Sequence, residues 1–286
     1  MSAPAAGSVR SASVDMNRAC PRRTPPAWLW ALGRADLPTR LEIAGCTYAW
    51  LRTFKHDFFA ATGLYDGPLG PAVVKFGRRA SVLGLPAAWI GRCMVEHETR
   101  MLARLAGLHG VPPLLGRLGA HAFAHGFVAG HDLQRNERAN DEFFPRLAAL
   151  LSAMHARGVA YVDLEKRENI IVGDDGRPHL VDFQIAFYWP DRSGGRTALA
   201  RWFLSILQAA DRYHLLKHWR RLRPDQLSAE MLAEAGPPPW IVVHRAVFRP
   251  LIQVRRRLLE WLGARRRGQT GRSEEARDPV PMEPTA

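Results

Sequence analysis

Between His155 and Phe187 the chain reads HARGVAYVDLEKRENIIVGDDGRPHLVDFQIAF, and no other stretch so narrows what it can fold into. Asp163 follows two β-formers, and Asn169 opens an Ile-Ile-Val run. A Gly-Asp-Asp-Gly turn comes next, then a second acid, Asp182, inside Leu-Val-Asp-Phe. Alternation and turn residues predict a loop, a strand from Ile170 to Val172, a hairpin turn at Asp174 to Gly176 and a strand from His179 to Val181. A tight hairpin brings its ends together, so Asp163, Asn169 and Asp182 are expected to cluster. Two acids and an amide in one place suit a divalent cation and the activation of a hydroxyl.

The segment resembles the catalytic and metal-binding loops of the protein-kinase-like superfamily. Tyr161-Val162-Asp163 stands where that family writes His-Arg-Asp, Asn169 where it has its catalytic-loop Asn, and Asp182-Phe183-Gln184 where it has Asp-Phe-Gly. The resemblance implies Asp163 as acceptor of a substrate hydroxyl proton, and Asn169 and Asp182 as Mg²⁺ ligands. Between Asp163 and Asn169 there is one residue more than usual, and Lys166 takes the place of the phosphate-contacting Lys that follows the catalytic Asp. The fold so implied is α+β and two-lobed. Its small antiparallel-sheet N-lobe with one helix would occupy residues 27–128, and its mainly helical C-lobe residues 129–235.

Upstream, strands are expected at Tyr48 to Phe54, Phe58 to Tyr65 and Ala72 to Phe76, with a Gly/Pro turn at Asp66 to Pro71. Val73-Val74-Lys75-Phe76 resembles the family's third strand, whose Lys reaches the ATP phosphates. The family's glycine-rich phosphate loop is absent here, for Thr53-Phe54-Lys55-His56-Asp57-Phe58 has no glycine. Either the side chains of Lys55 and His56 contact phosphate, or nucleotide binding is weak or altered. Val95 to Leu108 has a helical apolar period, and Glu98 is the better partner for Lys75, with Glu96 the fallback. The two acids point about 200° apart on a helix, so only one can face a cleft. Gly126 to Leu133 is expected to join the lobes, and Phe143 to Gly158 to form a helix delivering the chain to the catalytic loop.

Beyond Gln184 the likeness thins. A helix is expected from Thr197 to Ala210, and no Ala-Pro-Glu exists to build the platform on which peptide substrates lie. Asp211 to Pro224 is densely basic and aromatic and reads as a docking surface for an anionic acceptor or as a solvated helix face. Trp240 to Trp261 mixes aromatic and aliphatic residues with arginines, as an interfacial helix on anionic lipid does, and packing on the C-lobe would explain its apolar side equally well. Residues 236–267 are therefore expected to form a basic amphipathic extension. Residues 1–26 and 268–286, poor in large apolar side chains, are expected to be a disordered leader and tail.

The net charge of +13 favours anionic partners. Three scattered cysteines, Cys20, Cys46 and Cys93, suggest neither a disulfide framework nor a zinc site. No apolar run approaches the ~20 residues that span a bilayer, and the apolar run after Arg22-Arg23 is too short for an export signal. The expected location is the cytoplasm or the inner face of the cytoplasmic membrane. The expected activity is ATP- and Mg²⁺-dependent phosphoryl transfer to a hydroxyl, as in lipopolysaccharide-core sugar kinases and the RIO-like group. The acceptor would be a glycolipid sugar, with a protein Ser/Thr acceptor or a membrane-associated pseudokinase module as alternatives. No base-reading motif supports specific nucleic-acid binding.

Overall fold

The computed structural model describes residues 26–189 and 197–234. The leader up to Arg23-Thr24-Pro25, the extension and the tail lie outside the described residues, as does most of the segment from Trp189 to Gly195. The fold is α+β. Strands β1 (Arg40–Ile43), β2 (Cys46–His56), β3 (Ala60–Asp66), β4 (Ala72–Gly77), β5 (Leu114–Arg117) and β6 (Ala122–Gly126) form one antiparallel sheet in the order β1-β2-β3-β4-β6-β5. Helix α1 (Ala88–Arg104) packs on β4.

Several elements differ from expectation. β1 was not anticipated; it pairs with β2 through the turn Ala44-Gly45, whose φ values of 50° and 77° are those of a hairpin turn. β2 continues through Lys55 and His56, and Phe58 lies in the turn instead of opening β3. That turn is closed by Asp57, whose Oδ1 accepts the amides of Phe59 (2.8 Å) and Ala60 (3.0 Å). Helix α1 begins seven residues earlier than its apolar period suggested and ends at Arg104, before Gly107 at φ 79°. Its first turns lie against the β4 end because Gly91 has no side chain: a Cβ there would sit 2.2 Å from the Arg78 carbonyl oxygen.

The second part carries β7 (Gly130–Asp132), helix α2 (Phe143–Ala156), β8 (Val159–Ala160), β9 (Ile170–Gly173), β10 (Pro178–Leu180), β11 (Phe187–Tyr188), helix α3 (Thr197–Leu222) and the short α4 (Ala229–Glu234). β7 falls inside the stretch expected to join the lobes and pairs with β9, which pairs in turn with β10; β11 pairs with β8. Phe143, Phe144, Leu147, Leu150, Leu151 and Met154 put one apolar stripe on α2. This stripe forms the main core with Leu102, Leu105, Tyr161, Ile170, Leu180, Phe183 and Trp219. Each such side chain contributes about 1.5–3 kcal/mol by burial.

Helix α3 is the largest correction. It runs unbroken through Ala210, where a helix end was expected. Part of the basic aromatic stretch is therefore buried: Tyr213, His214, Leu215, His218 and Trp219 face inward, while Arg212, Arg220 and Arg221 face solvent. Among the described residues no helix is long and apolar enough to cross a membrane.

Candidate active site

Strand alternation decides where Lys75 points. Val74 is buried in the sheet core with Tyr48 and Tyr65, so Lys75 faces the opposite side, toward α1. Its Nζ lies 2.7 Å from Glu98 Oε2 and 2.8 Å from Asp182 Oδ1. Glu98 is 3% exposed and its Oε1 also accepts the Phe183 amide at 3.2 Å. Glu96, on the other side of α1, pairs with Arg100 and Arg117 at the surface, so the choice between the two acids falls on Glu98.

The electrostatics follow from this packing. Burial alone would raise the Asp182 carboxyl, yet the Lys75 charge and hydrogen bond, helped by Lys55 and Lys166, bring it down to about 2. Burial would lower the Lys75 ammonium, and Glu98 with Asp182 reverses this and raises it. Glu98 is pushed up by burial against the pull of Lys75. At neutral pH the trio, of which only Glu98 is buried, carries a charged Lys75 and an ionised Asp182.

Asp163 is 8% exposed, and its Oδ2 accepts from Lys166 Nζ at 2.7 Å and from Asn169 Nδ2 at 2.8 Å. Burial raises its pKa, and Lys166 and Asn169 only partly offset that. A carboxylate with raised proton affinity, one oxygen fixed by two donors, is suited to accept a proton from a hydroxyl. The hairpin expected between Asn169 and Asp182 forms, and the Val181 amide donates to the Asn169 carbonyl at 3.1 Å, which holds the two loops side by side. β10 ends one residue before the expected Val181, so Asp182 lies outside the strand with φ 62°.

The residue that sequence reasoning missed is Asp211, fully buried at mid-helix in α3. Its two carboxylate oxygens accept the amides of Tyr161 and Val162, each at 2.7 Å, and His155 Nε2 lies 3.0 Å from Oδ2. Val162 has φ 70°, a left-handed conformation costing a β-branched residue about 1–3 kcal/mol. Two charge-assisted bonds from Asp211 hold it there, one residue before Asp163. The available signal was an acid on the stripe Leu204, Leu215 and Trp219 at helical spacing, since a buried acid must have partners. Tyr161 completes the support: its hydroxyl donates to the Val181 carbonyl and its ring meets Phe183 edge-on at 5.3 Å.

Lys55 and His56 separate, because adjacent strand residues face opposite sides. Lys55 pairs with Asp57 at 2.9 Å, and its positive charge is felt by Asp182 and Glu168. His56 is instead tied to the chain before the sheet: its Nε2 accepts the Leu32 amide at 3.1 Å and its ring packs on Trp30. His56 is not brought into the Lys75–Asp182 group.

Asp182 and Asn169 are the oxygen donors that could hold Mg²⁺, an ion commonly bound by one or two protein oxygens together with substrate phosphates. With the Asn169 NH₂ donating to Asp163, its amide carbonyl is the atom suited to the cation. The described residues contain no group of three or more His, Cys, Asp or Glu arranged around a cation, so an all-protein metal cage is not what this donor set resembles. No protein-family model matches the chain, and no curated protein matches it either.

Proposed function

We propose that the chain is a protein-kinase-like phosphotransferase that moves the γ-phosphate of ATP to a hydroxyl, with a non-peptide acceptor such as a lipopolysaccharide-core sugar. The observation that supports it best is the junction at Lys75, where one ammonium bridges an acid from α1 and an acid that follows the β9–β10 hairpin. In this reading Lys75, steadied by Glu98, meets the nucleotide phosphates, and Asp182 and Asn169 hold Mg²⁺. The ion would neutralise the charge on the transferred group. Asp163 takes the acceptor proton as the new oxygen–phosphorus bond forms and the bond to the leaving diphosphate breaks. Lys166 keeps Asp163 ionised and in place. Positioning and charge stabilisation would supply most of the rate enhancement.

The test is transfer of labelled phosphate from ATP and Mg²⁺ to dephosphorylated core glycolipid, with a generic basic protein as competitor acceptor. Labelling of the glycolipid that vanishes in Asp163→Asn is expected. Labelling of protein alone would move the assignment to a protein kinase.

A pseudokinase reading is favoured by one observation. The amides of Phe59 and Ala60, in the connection where a glycine-rich loop would cradle phosphate, are already bonded to Asp57. Absence of any nucleotide binding would favour that reading.

A further inference from the structure

Arg78, the residue after β4, is among the largest fully buried side chains of the described residues, and the chemistry assigned above leaves it unused. A buried guanidinium costs free energy unless its donors are met. Among the described residues no acid pairs with it, and three carbonyl oxygens meet it instead. Nη1 donates to Phe58 O at 2.7 Å, and Nη2 donates to Trp28 O at 2.7 Å and to Ser81 O at 3.3 Å. Its Nε is buried without a partner, so these bonds and the Phe58 ring, 4.1 Å from the guanidinium carbon, carry the offset.

The three carbonyls come from three segments: Trp28 from the chain before β1, Phe58 from the turn between β2 and β3, and Ser81 from the connection to α1. The backbone of the first segment is stitched to the other two. The Ala31 amide donates to Asp57 O at 2.7 Å, and Ala31 O accepts the amides of Arg79 at 2.8 Å and Ala80 at 2.9 Å. His56 Nε2 takes the Leu32 amide beside them. Helix α1, which carries Glu98, closes on the Arg78 backbone through Gly91. Arg78 is thus the meeting point of these parts, and the turn it holds leads back to the candidate site. Lys55 pairs across the sheet with Thr62, and Thr62 with Lys75, so the three stand in one row and share a face. The turn begins two residues after Lys55.

We propose that Arg78 is a positioning residue for nucleotide binding: by gathering residues 28–32 and 57–59 it fixes Lys55 on the face that carries Lys75. The role rests on the phosphotransferase reading in assigning that face to ATP, whereas the tie itself does not. Asp57 already occupies the amides of Phe59 and Ala60, so the turn has no free backbone cradle of glycines to offer a phosphate there. Side-chain placement then matters more, and a fixed turn supplies it.

The test joins amide hydrogen exchange, read by mass spectrometry, to calorimetric titration with ATP and Mg²⁺, both on the full chain. The unaltered protein is compared with Arg78→Lys and His56→Phe. Arg78→Lys keeps the charge and removes the fork that reaches several carbonyls at once. His56→Phe keeps a ring beside Trp30 and removes the Leu32 acceptor, so it loosens the same segment if Arg78→Lys does not fold. Exchange in residues 28–32 and 57–60 should rise about tenfold or more with α2 unchanged, and ATP should bind about tenfold more weakly. Faster exchange with unaltered ATP affinity would make Arg78 a support of the fold alone and overturn the positioning role. Exchange unchanged in both variants would overturn the tie. No binding of ATP by the unaltered protein removes the phosphotransferase reading and this role with it, whereas ATP binding indifferent to both variants removes the role and leaves that reading standing.

Discussion

Asp163 carries a raised pKa from burial, while Lys166 at 2.7 Å pulls the other way. In the proposed role of general base Asp163 must be ionised, so the rate of phosphoryl transfer should fall as pH drops through that raised value, above the ordinary 3.8. In Lys166→Met the cation that favours the carboxylate is gone, and the acid limb of kcat should move upward, by an amount that solvent screening keeps small because Lys166 is half exposed. A limb that stays in place or moves down would show that Lys166 does not act on the base. At this scale much was legible in the sequence. Lys75, Glu98, Asp163, Lys166, Asn169 and Asp182 could each be named because acids, amides and lysines stand out against β-forming or helical neighbours. Choosing Glu98 over Glu96 needed only helix geometry. His56 was misplaced because its fate depends on strand phase and on the Trp30–Leu32 segment that covers it.

The elements hold those residues through contacts that the sequence does not display. Asp211 reads as one more charge in a basic stretch until α3 is seen to run unbroken through it. The turn carrying the left-handed Val162 is then fixed by a helix about fifty residues downstream, a separation that local pattern reading cannot bridge. Asp211→Asn leaves only one carboxamide oxygen for the two amides of Tyr161 and Val162. The unsatisfied donor should cost about 1–3 kcal/mol of stability, read as a lowered urea midpoint. Phosphoryl transfer should fall as well, because Val162 precedes Asp163. An unchanged midpoint would mean that Asp211 does not support the turn. Helix and strand types were legible from periodicity, and their limits were not: the early start of α1 depends on Gly91 meeting the Arg78 backbone.

Across the whole molecule, the antiparallel sheet with α1 and the α2–α3 core meet at the Lys75–Asp182 junction. An acid from each side is held by one ammonium, so a nucleotide entering there would engage both parts at once. The measurement that tests this most directly is the thermal unfolding of the full chain with ATP, with and without Mg²⁺, for the unaltered protein and for Asp182→Ala. A ligand that binds only the folded state at a hundred times its Kd stabilises by about 2.7 kcal/mol, enough to raise the midpoint by several degrees. A Mg²⁺-dependent rise that disappears in Asp182→Ala is the expected result. No rise with ATP and Mg²⁺, or a rise of the same size in Asp182→Ala, would contradict the assignment of Lys75, Asn169 and Asp182 to a nucleotide site.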